Sequence, residues 1–181
     1  PLLLKLLENT ATGSVLVFTR TKHRAKRLGE KLASAGYRSA SLQGNLSQNR
    51  RQAALNGFRD GTFQILVATD IAARGIDVSQ ISHVINYDIP NTPEASIHRI
   101  GRTARVGAEG KAFTLACDDY VYSLDAVHKY VGYEIPVVFA SDELFAEVIP
   151  YRPKPKPRPT RGRGDRRPPG RGRPDRRTQS A

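Results

Sequence analysis

The 181-residue sequence contains no methionine, no tryptophan and a single cysteine, Cys117. One cysteine excludes an internal disulfide framework and fits a reducing compartment. The histidines, His23, His83, His98 and His128, are dispersed. No Cys/His spacing has the form of a metal site, so no metal ligands are assigned. No apolar run approaches about 18 residues and no signal-peptide pattern opens the chain, so the default expectation is a soluble, cytoplasmic protein without membrane contact. A start at Pro1 with no Met anywhere is expected of a piece of something longer. Also missing is a Gly-x-x-x-x-Gly-Lys-Ser/Thr phosphate loop. Nothing here is built to cradle the β- and γ-phosphates of a nucleotide or to hold magnesium.

What the sequence has in excess is positive charge, unevenly placed. The formal net charge is +12; twelve of the 29 Lys and Arg but only two of the 17 Asp and Glu lie from Pro150 onward, so that segment carries +10 and residues 1–149 carry +2. Residues 151–159 alternate Pro with cations, which favours extended polyproline II. The remainder is rich in Arg, Gly and Pro, with no apolar residue large enough to build a core. Two parts are therefore expected: a domain over 1–149 and a disordered basic tail over 150–181.

Within the domain, strand and helix signals alternate. Val15–Phe18, Ser39–Leu42, Gln64–Thr69, His83–Tyr87 and Lys111–Cys117 read as strands, the first as a continuous apolar run buried on both faces. Leu2 to Leu7, Thr21 to Ala35, Ser47 to Arg59, a segment opening at Thr92-Pro93-Glu94, and Tyr120 to Val131 read as helices. Thr21–Ala35 is strongly basic. Asp70 to Gly75 reads as a turn. This alternation predicts an α/β fold, with a mostly parallel sheet covered on both faces as a three-layer sandwich. Ligands in such folds collect where strand C-termini meet the following loops. Tyr122, Tyr130 and Val137-Val138-Phe139 read as core, with docking of a protein partner such as a ribonuclease as the alternative.

The densest chemistry lies in His98-Arg-Ile-Gly-Arg-Thr-Ala-Arg-Val-Gly107. If the helix beginning near Thr92 runs through it, His98, Arg102 and Arg105 stack on one face. Such crowding of cations becomes favourable when the face meets a polyanion, and arginine forks match phosphate oxygens. A solvated basic face is the plainer alternative.

Four stretches, taken together, resemble motifs of the DEAD-box RNA helicases: Val15–Arg20, Gln43–Gln48 with Arg51, Val67–Asp77, and His98–Gly107. Their order corresponds to the second RecA-like domain of a two-domain core, matched over about residues 1–132. The resemblance implies a RecA-like fold and an ATP-dependent RNA helicase acting by local duplex unwinding. It implies that Arg102 and Arg105 are arginine fingers reaching the γ-phosphate of ATP, that Asp77 binds the ribose hydroxyls, and that His98 bridges to the partner domain while Arg99 braces the block. Thr19, Arg20, Gly44, Gln48, Arg51, Thr69, Asp70, Arg74 and Gly75 match positions that grip the RNA backbone or position those that do. The basic tail and the segment from Asp119 to Pro136 resemble bacterial members that work on mRNA decay or ribosome assembly, which implies partners of that kind.

Plainer roles stay open for several of these residues. Asp77 could cap a turn, Arg74 could pair with Asp70 or Asp77, and Thr69 could be a strand-end hydroxyl. Gln43 and Asn45 stand where the family commonly has His and Asp. Ala104 stands where it more often has Gly, and an α-helical or extended backbone that accepts Ala is expected there. No Asp-Glu-Ala-Asp box occurs, so ATP and its magnesium would be held by a first RecA-like domain absent from this chain, and the fragment alone is expected to be inactive. Two alternatives accompany the helicase reading: a non-catalytic RNA-binding or chaperone module on a RecA-like scaffold, and a DNA-directed superfamily 2 translocase.

Deleting residues 150–181 is expected to weaken binding of single-stranded RNA while leaving the domain's melting temperature unchanged. The slope of log K against log salt should flatten by about 0.7 for each phosphate that the tail neutralises. Equal slopes with and without the tail would show that the tail does not bind RNA.

Overall fold

A computed structural model describes residues 2–9, 13–74, 76, 81–90, 92–104, 109–117 and 122–141. Its element order is α1 (Leu2–Asn9), β1 (Ser14–Phe18), α2 (Lys22–Ser34), β2 (Ser39–Leu42), α3 (Gln48–Arg59), β3 (Ile65–Ala68), α4 (Asp70–Ala73), β4 (Ile81–Asn86), α5 (Pro93–Ile100), β5 (Lys111–Thr114) and α6 (Tyr122–Val131). The strands form one sheet in the order β2-β3-β1-β4-β5, and every neighbouring pair is parallel.

Because side chains alternate along a strand, the apolar runs of β1 and β3 feed two cores. Val15, Val17, Ile65, Val67 and Ile85 face one side and pack with Leu3 and Leu7 of α1 and Ala25, Leu28 and Leu32 of α2. Leu16, Phe18, Leu66, Ala68 and Val84 face the other, with Ala54, Leu55 and Phe58 of α3 and Ala72 and Ala73 of α4. The result is the RecA-like three-layer α/β sandwich. Each fully buried Leu, Ile, Val or Phe of these layers contributes roughly 1.5–3 kcal/mol of transfer free energy.

The helices begin where their caps place them. Thr21, Ser47 and Thr92 are extended residues whose hydroxyls accept from the backbone N–H of Arg24, Arg50 and Ala95. Pro93 occupies the first turn of α5, where its missing N–H costs nothing.

Four details depart from the sequence reading. First, Asp70–Gly75 is not simply a turn. Thr69 is extended and α4 follows it at once, closed by Ala73 N–H donating to the Thr69 carbonyl at 2.8 Å. Second, α5 does not run through the His98–Gly107 block. Gly101 ends it, and the next bonds are the tighter i to i−3 kind, from Arg102 to Arg99 and from Thr103 to Ile100. Third, Ala104 takes up neither of the expected conformations: its φ is +55°. Next to it, the buried Thr103 hydroxyl donates to the Ile81 carbonyl at 2.5 Å and holds the chain against β4. Gly110 closes the same corner, where a Cβ would lie 2.6 Å from the Ala104 nitrogen. Fourth, Tyr130 and Val137-Val138-Phe139 are exposed rather than core, Val138 and Phe139 to 90% and 91%. The Tyr122 side chain lies outside the described residues, as does the tail over 150–181.

An L-residue in the left-handed region is strained by about 1 kcal/mol. Ala104→Gly is therefore expected to raise stability by up to about 1 kcal/mol, read as a higher urea midpoint at unchanged slope.

Candidate functional site at the carboxyl edge of the sheet

All strands being parallel, their C-termini share one edge. Strand order reverses between β1, which leads towards β2, and β4, which leads towards β5. The loops after β1 and β4 therefore meet at a switch point, where such folds place ligands. They are stitched together there. Arg20 N–H donates to the Asp88 carboxylate at 2.9 Å, and its guanidinium donates to the Ile89 carbonyl at 3.0 Å. Arg24, from the first turn of α2, pairs with the other Asp88 oxygen.

At the centre of this edge lies Arg99, 2% exposed. Its Nε and Nη2 donate to the two carboxylate oxygens of Asp70 at 2.6 and 2.7 Å. Nη1 donates to Asn86 Oδ1 at 3.2 Å and to the Asp88 carbonyl at 2.8 Å. The guanidinium carbon sits 5.0 Å from the centre of the Phe18 ring, a cation–π distance. Asn86 in turn donates to Thr114 Oγ1 of β5 at 3.1 Å. One side chain thus joins the ends of β1 and β4 and helices α4 and α5. Only arginine, with its rigid planar set of five donors, can make this set of bonds.

The other sequence-derived candidates fall around this hub. Thr19 is fully buried and its hydroxyl donates to the Thr21 carbonyl at 3.3 Å, so it shapes its loop from within. Asp70 is half-exposed and committed to Arg99. Arg74 is exposed and makes no salt bridge among the described residues, and the Arg74–Asp70 pair does not form. Arg51 of α3 donates to the Ala72 carbonyl at 2.7 Å and ties α3 to α4. Gly44 stands in open space, with nothing within 4 Å of a Cβ built on it. Beside it, the buried Gln43 side chain accepts from Asn45 N–H at 3.1 Å. Gln48 is exposed at the start of α3, and Thr69 makes no capping bond at the start of α4.

In the second block, His98 is exposed at the end of α5. Arg102 is half-buried and donates to the Ile76 carbonyl at 3.3 Å. Since α5 stops at Ile100, Arg102 does not continue a helical face with His98. Arg105, Asp77 and Gly75 lie outside the described residues. Sequence reasoning missed Asp88, Asn86 and Arg24. Asp88-Ile89-Pro90 was legible only as a strand end, and nothing local marks its carboxylate as the partner of residues about 65 positions upstream. Among the described residues, no group of three His, Cys, Asp or Glu could hold a metal ion. Nor is any helix among them long and apolar enough to cross a membrane.

Comparison with known proteins fits this arrangement. Residues 1–107 match the helicase conserved C-terminal domain family. The ATP-dependent RNA helicase RhlB of Haemophilus influenzae (strain PittEE) is 43% identical over 154 residues, covering 84% of this chain and 37% of the relative. RhlB of Cronobacter sakazakii is 42% identical over 167 residues, covering 92% and 39%. Among solved structures, E. coli DEAD-box protein SrmB bound to regulator of ribonuclease activity A superposes with a TM-score of 0.72 at 38% identity, covering 79% of this chain and 84% of that one. S. cerevisiae Dbp5 bound to RNA and ADP BeF3 gives a TM-score of 0.68 at 36% identity, covering 72% and 35%. The chain belongs to the DEAD-box RNA helicases, as the C-terminal RecA-like domain of a bacterial member. It spans roughly two fifths of the length of the curated relatives it matches, 37% to 40%.

Arg99→Lys replaces a planar fork with a point charge that cannot reach Asp70, Asn86 and Asp88 together. It is expected to cost about 3 kcal/mol, seen as a lower denaturant midpoint. Asp70→Asn, which keeps an acceptor at a half-exposed site, should cost less. An Arg99→Lys variant as stable as the parent would remove Arg99 from the centre of the site.

Proposed function

We propose that the chain is the closing half of an ATP-dependent RNA helicase, contributing arginine fingers and one wall of the RNA cleft. The observation that carries this reading is the Arg99 clasp. It locks α4, at the start of the stretch assigned to RNA, against α5, which leads into the stretch assigned to ATP. A displacement on one side is thereby felt on the other.

On the ATP side the residues present fit the outer half of a nucleotide. Arg102 is half-buried, has no carboxylate partner among the described residues, and is tethered to the carbonyl of Ile76. In sequence, Ile76 directly precedes Asp77, the carboxylate assigned to the ribose hydroxyls. ATP and its magnesium would sit on the first RecA-like domain. On closure, Arg102 and Arg105 would approach the γ-phosphate, where charge spreads over the phosphoryl oxygens in the transition state. A preplaced guanidinium stabilises that charge without reorganisation. His98, exposed at the end of α5, would bridge to the opposite domain.

On the RNA side, Arg20, Gly44, Gln48, Arg51, Thr69, Arg74 and Gly75 would meet the backbone, while buried Thr19 and clasped Asp70 position them. Hydroxyls, amides and arginines supply phosphate contacts and carry no base readout. Closure of the two domains would bend one strand and separate a short duplex, and hydrolysis would reopen the clamp. The tail would add sequence-independent affinity.

The test joins this chain to its first RecA-like domain. RNA-stimulated ATP hydrolysis is expected of the joined protein and not of residues 1–181 alone. Arg102→Ala should reduce it on the order of 10³-fold or more with RNA affinity retained. Gln48→Ala should weaken RNA binding instead. ATP hydrolysis by the fragment alone, or an Arg102→Ala protein with full activity, would overturn the proposal.

A further inference from the structure

We propose that Asp88 is a positioning residue for RNA, whose carboxylate holds the turn after β1, Thr19–Thr21, in the shape that meets the phosphate backbone. The proposal rests on the assignment of that turn to the RNA cleft and deepens it.

The turn leaves β1 with Thr19 N–H donating to the Ala68 carbonyl at 2.9 Å and the Thr19 hydroxyl donating to the Thr21 carbonyl at 3.3 Å. Asp88 takes over from there. One of its carboxylate oxygens accepts from Arg20 N–H at 2.9 Å. The other takes the guanidinium of Arg24, in the first turn of α2. Thr21, the N-cap of α2, lies between those two residues. A single carboxylate therefore grips the chain on both sides of Thr21. The main chain of Asp88 is fixed separately. Its N–H donates to the Phe18 carbonyl at 3.4 Å, and its carbonyl accepts from Arg99 Nη1 at 2.8 Å. Asp88 thus has its backbone in the Arg99 hub and its side chain in the wall assigned to RNA.

Stability alone is a poor reason for this carboxylate. Asp88 is 5% exposed, and desolvating it largely cancels its attraction to half-exposed Arg24; what such a pair supplies is one fixed geometry. Its charge also has the wrong sign for its place, because a negative group beside the cleft repels phosphates. Asp88 can serve RNA only through the groups it orders. Charge and positioning then predict opposite outcomes when the charge is removed.

The experiment places Asp88→Asn and Arg24→Gln, singly and together, in the chain joined to its first RecA-like domain, and measures RNA binding and RNA-stimulated ATP hydrolysis. Asparagine keeps the shape and an acceptor for Arg20 N–H but loses the ionic bond to Arg24. The KM for RNA is expected to rise on the order of tenfold with Asp88→Asn, a far larger change than in kcat or in the KM for ATP. Arg24→Gln should weaken RNA binding in the same direction, and the double variant should be no weaker than the weaker single, as for two groups acting as one unit. Charge alone predicts the reverse for Asp88→Asn, tighter RNA binding. Should Asp88→Asn fail to fold, Arg24→Gln carries the test through its salt slope. The slope stays unchanged if the pair positions the turn and flattens by about 0.7 if Arg24 itself holds a phosphate. Tighter or unchanged RNA binding by Asp88→Asn, a loss in kcat as large as the change in KM, additive single effects, or the flatter slope would overturn the proposal. Gln48→Ala separates it from the cleft reading. If Gln48→Ala weakens RNA binding and Asp88→Asn does not, only the role of Asp88 falls; if neither weakens it, the cleft assignment falls as well.

Discussion

The structure depends on a buried positive charge being fully paired. Taking the Arg99 guanidinium out of water costs several kcal/mol, recovered only if each donor finds an acceptor in good geometry. Asp70, Asn86 and the Asp88 carbonyl provide those acceptors, and Phe18 supplies a ring face. With Arg99 itself, these groups come from four segments of the chain, around residues 18, 70, 86–88 and 99. The network is therefore satisfied only when β1, β4, α4 and α5 are all in place. That requirement turns a sheet edge, otherwise a set of independent loops, into one unit.

A second constraint acts just beyond it. Gly101 ends α5, Thr103 turns its hydroxyl into β4, and Ala104 is left with positive φ. The strain at Ala104 is small beside the bonds that impose it. The chain leaves the helix at Gly101, before Arg102. Arg102 therefore leans on the carbonyl of Ile76 instead of stacking under His98 on a helical surface. Charge placement follows a related logic. All three of α2, α3 and α5 carry cations in their last turns, and of the three only α5 has an acid in its first.

Much of this was legible in the residues. The five strands, their parallel arrangement and the caps at Thr21, Ser47 and Thr92 follow from local signals: β-branched apolar runs, hydroxyl residues ahead of helical periods, and Gly or Pro at the ends. The family motifs also pointed to the carboxyl edge. What misled were short-range readings of segments decided at long range. Periodicity alone let α5 continue through Gly101, because the pull of Ile81 on Thr103 is invisible locally. Ala104 looked safe in common backbone regions for the same reason. Val137-Val138-Phe139 looked like core because apolarity was weighed without knowing what, if anything, packs there.

The sequence by itself determined the class of fold, the order of its elements, the split of charge between domain and tail, and the family. All of these are written in composition, periodicity and contiguous motifs. The tertiary structure alone decided which charges are spent on holding the domain together. Arg99, Arg102 and Arg105 look alike in the chain, as do Asp70, Asp77 and Asp88. Burial and partners made Arg99 and Asp88 internal struts, clasped half-exposed Asp70 to Arg99, and tethered Arg102 to a carbonyl, with no carboxylate partner among the described residues. The reason is physical. Pairing a buried charge requires acceptors at about 3 Å in a fixed geometry, and only the folded chain brings residues dozens of positions apart to that distance.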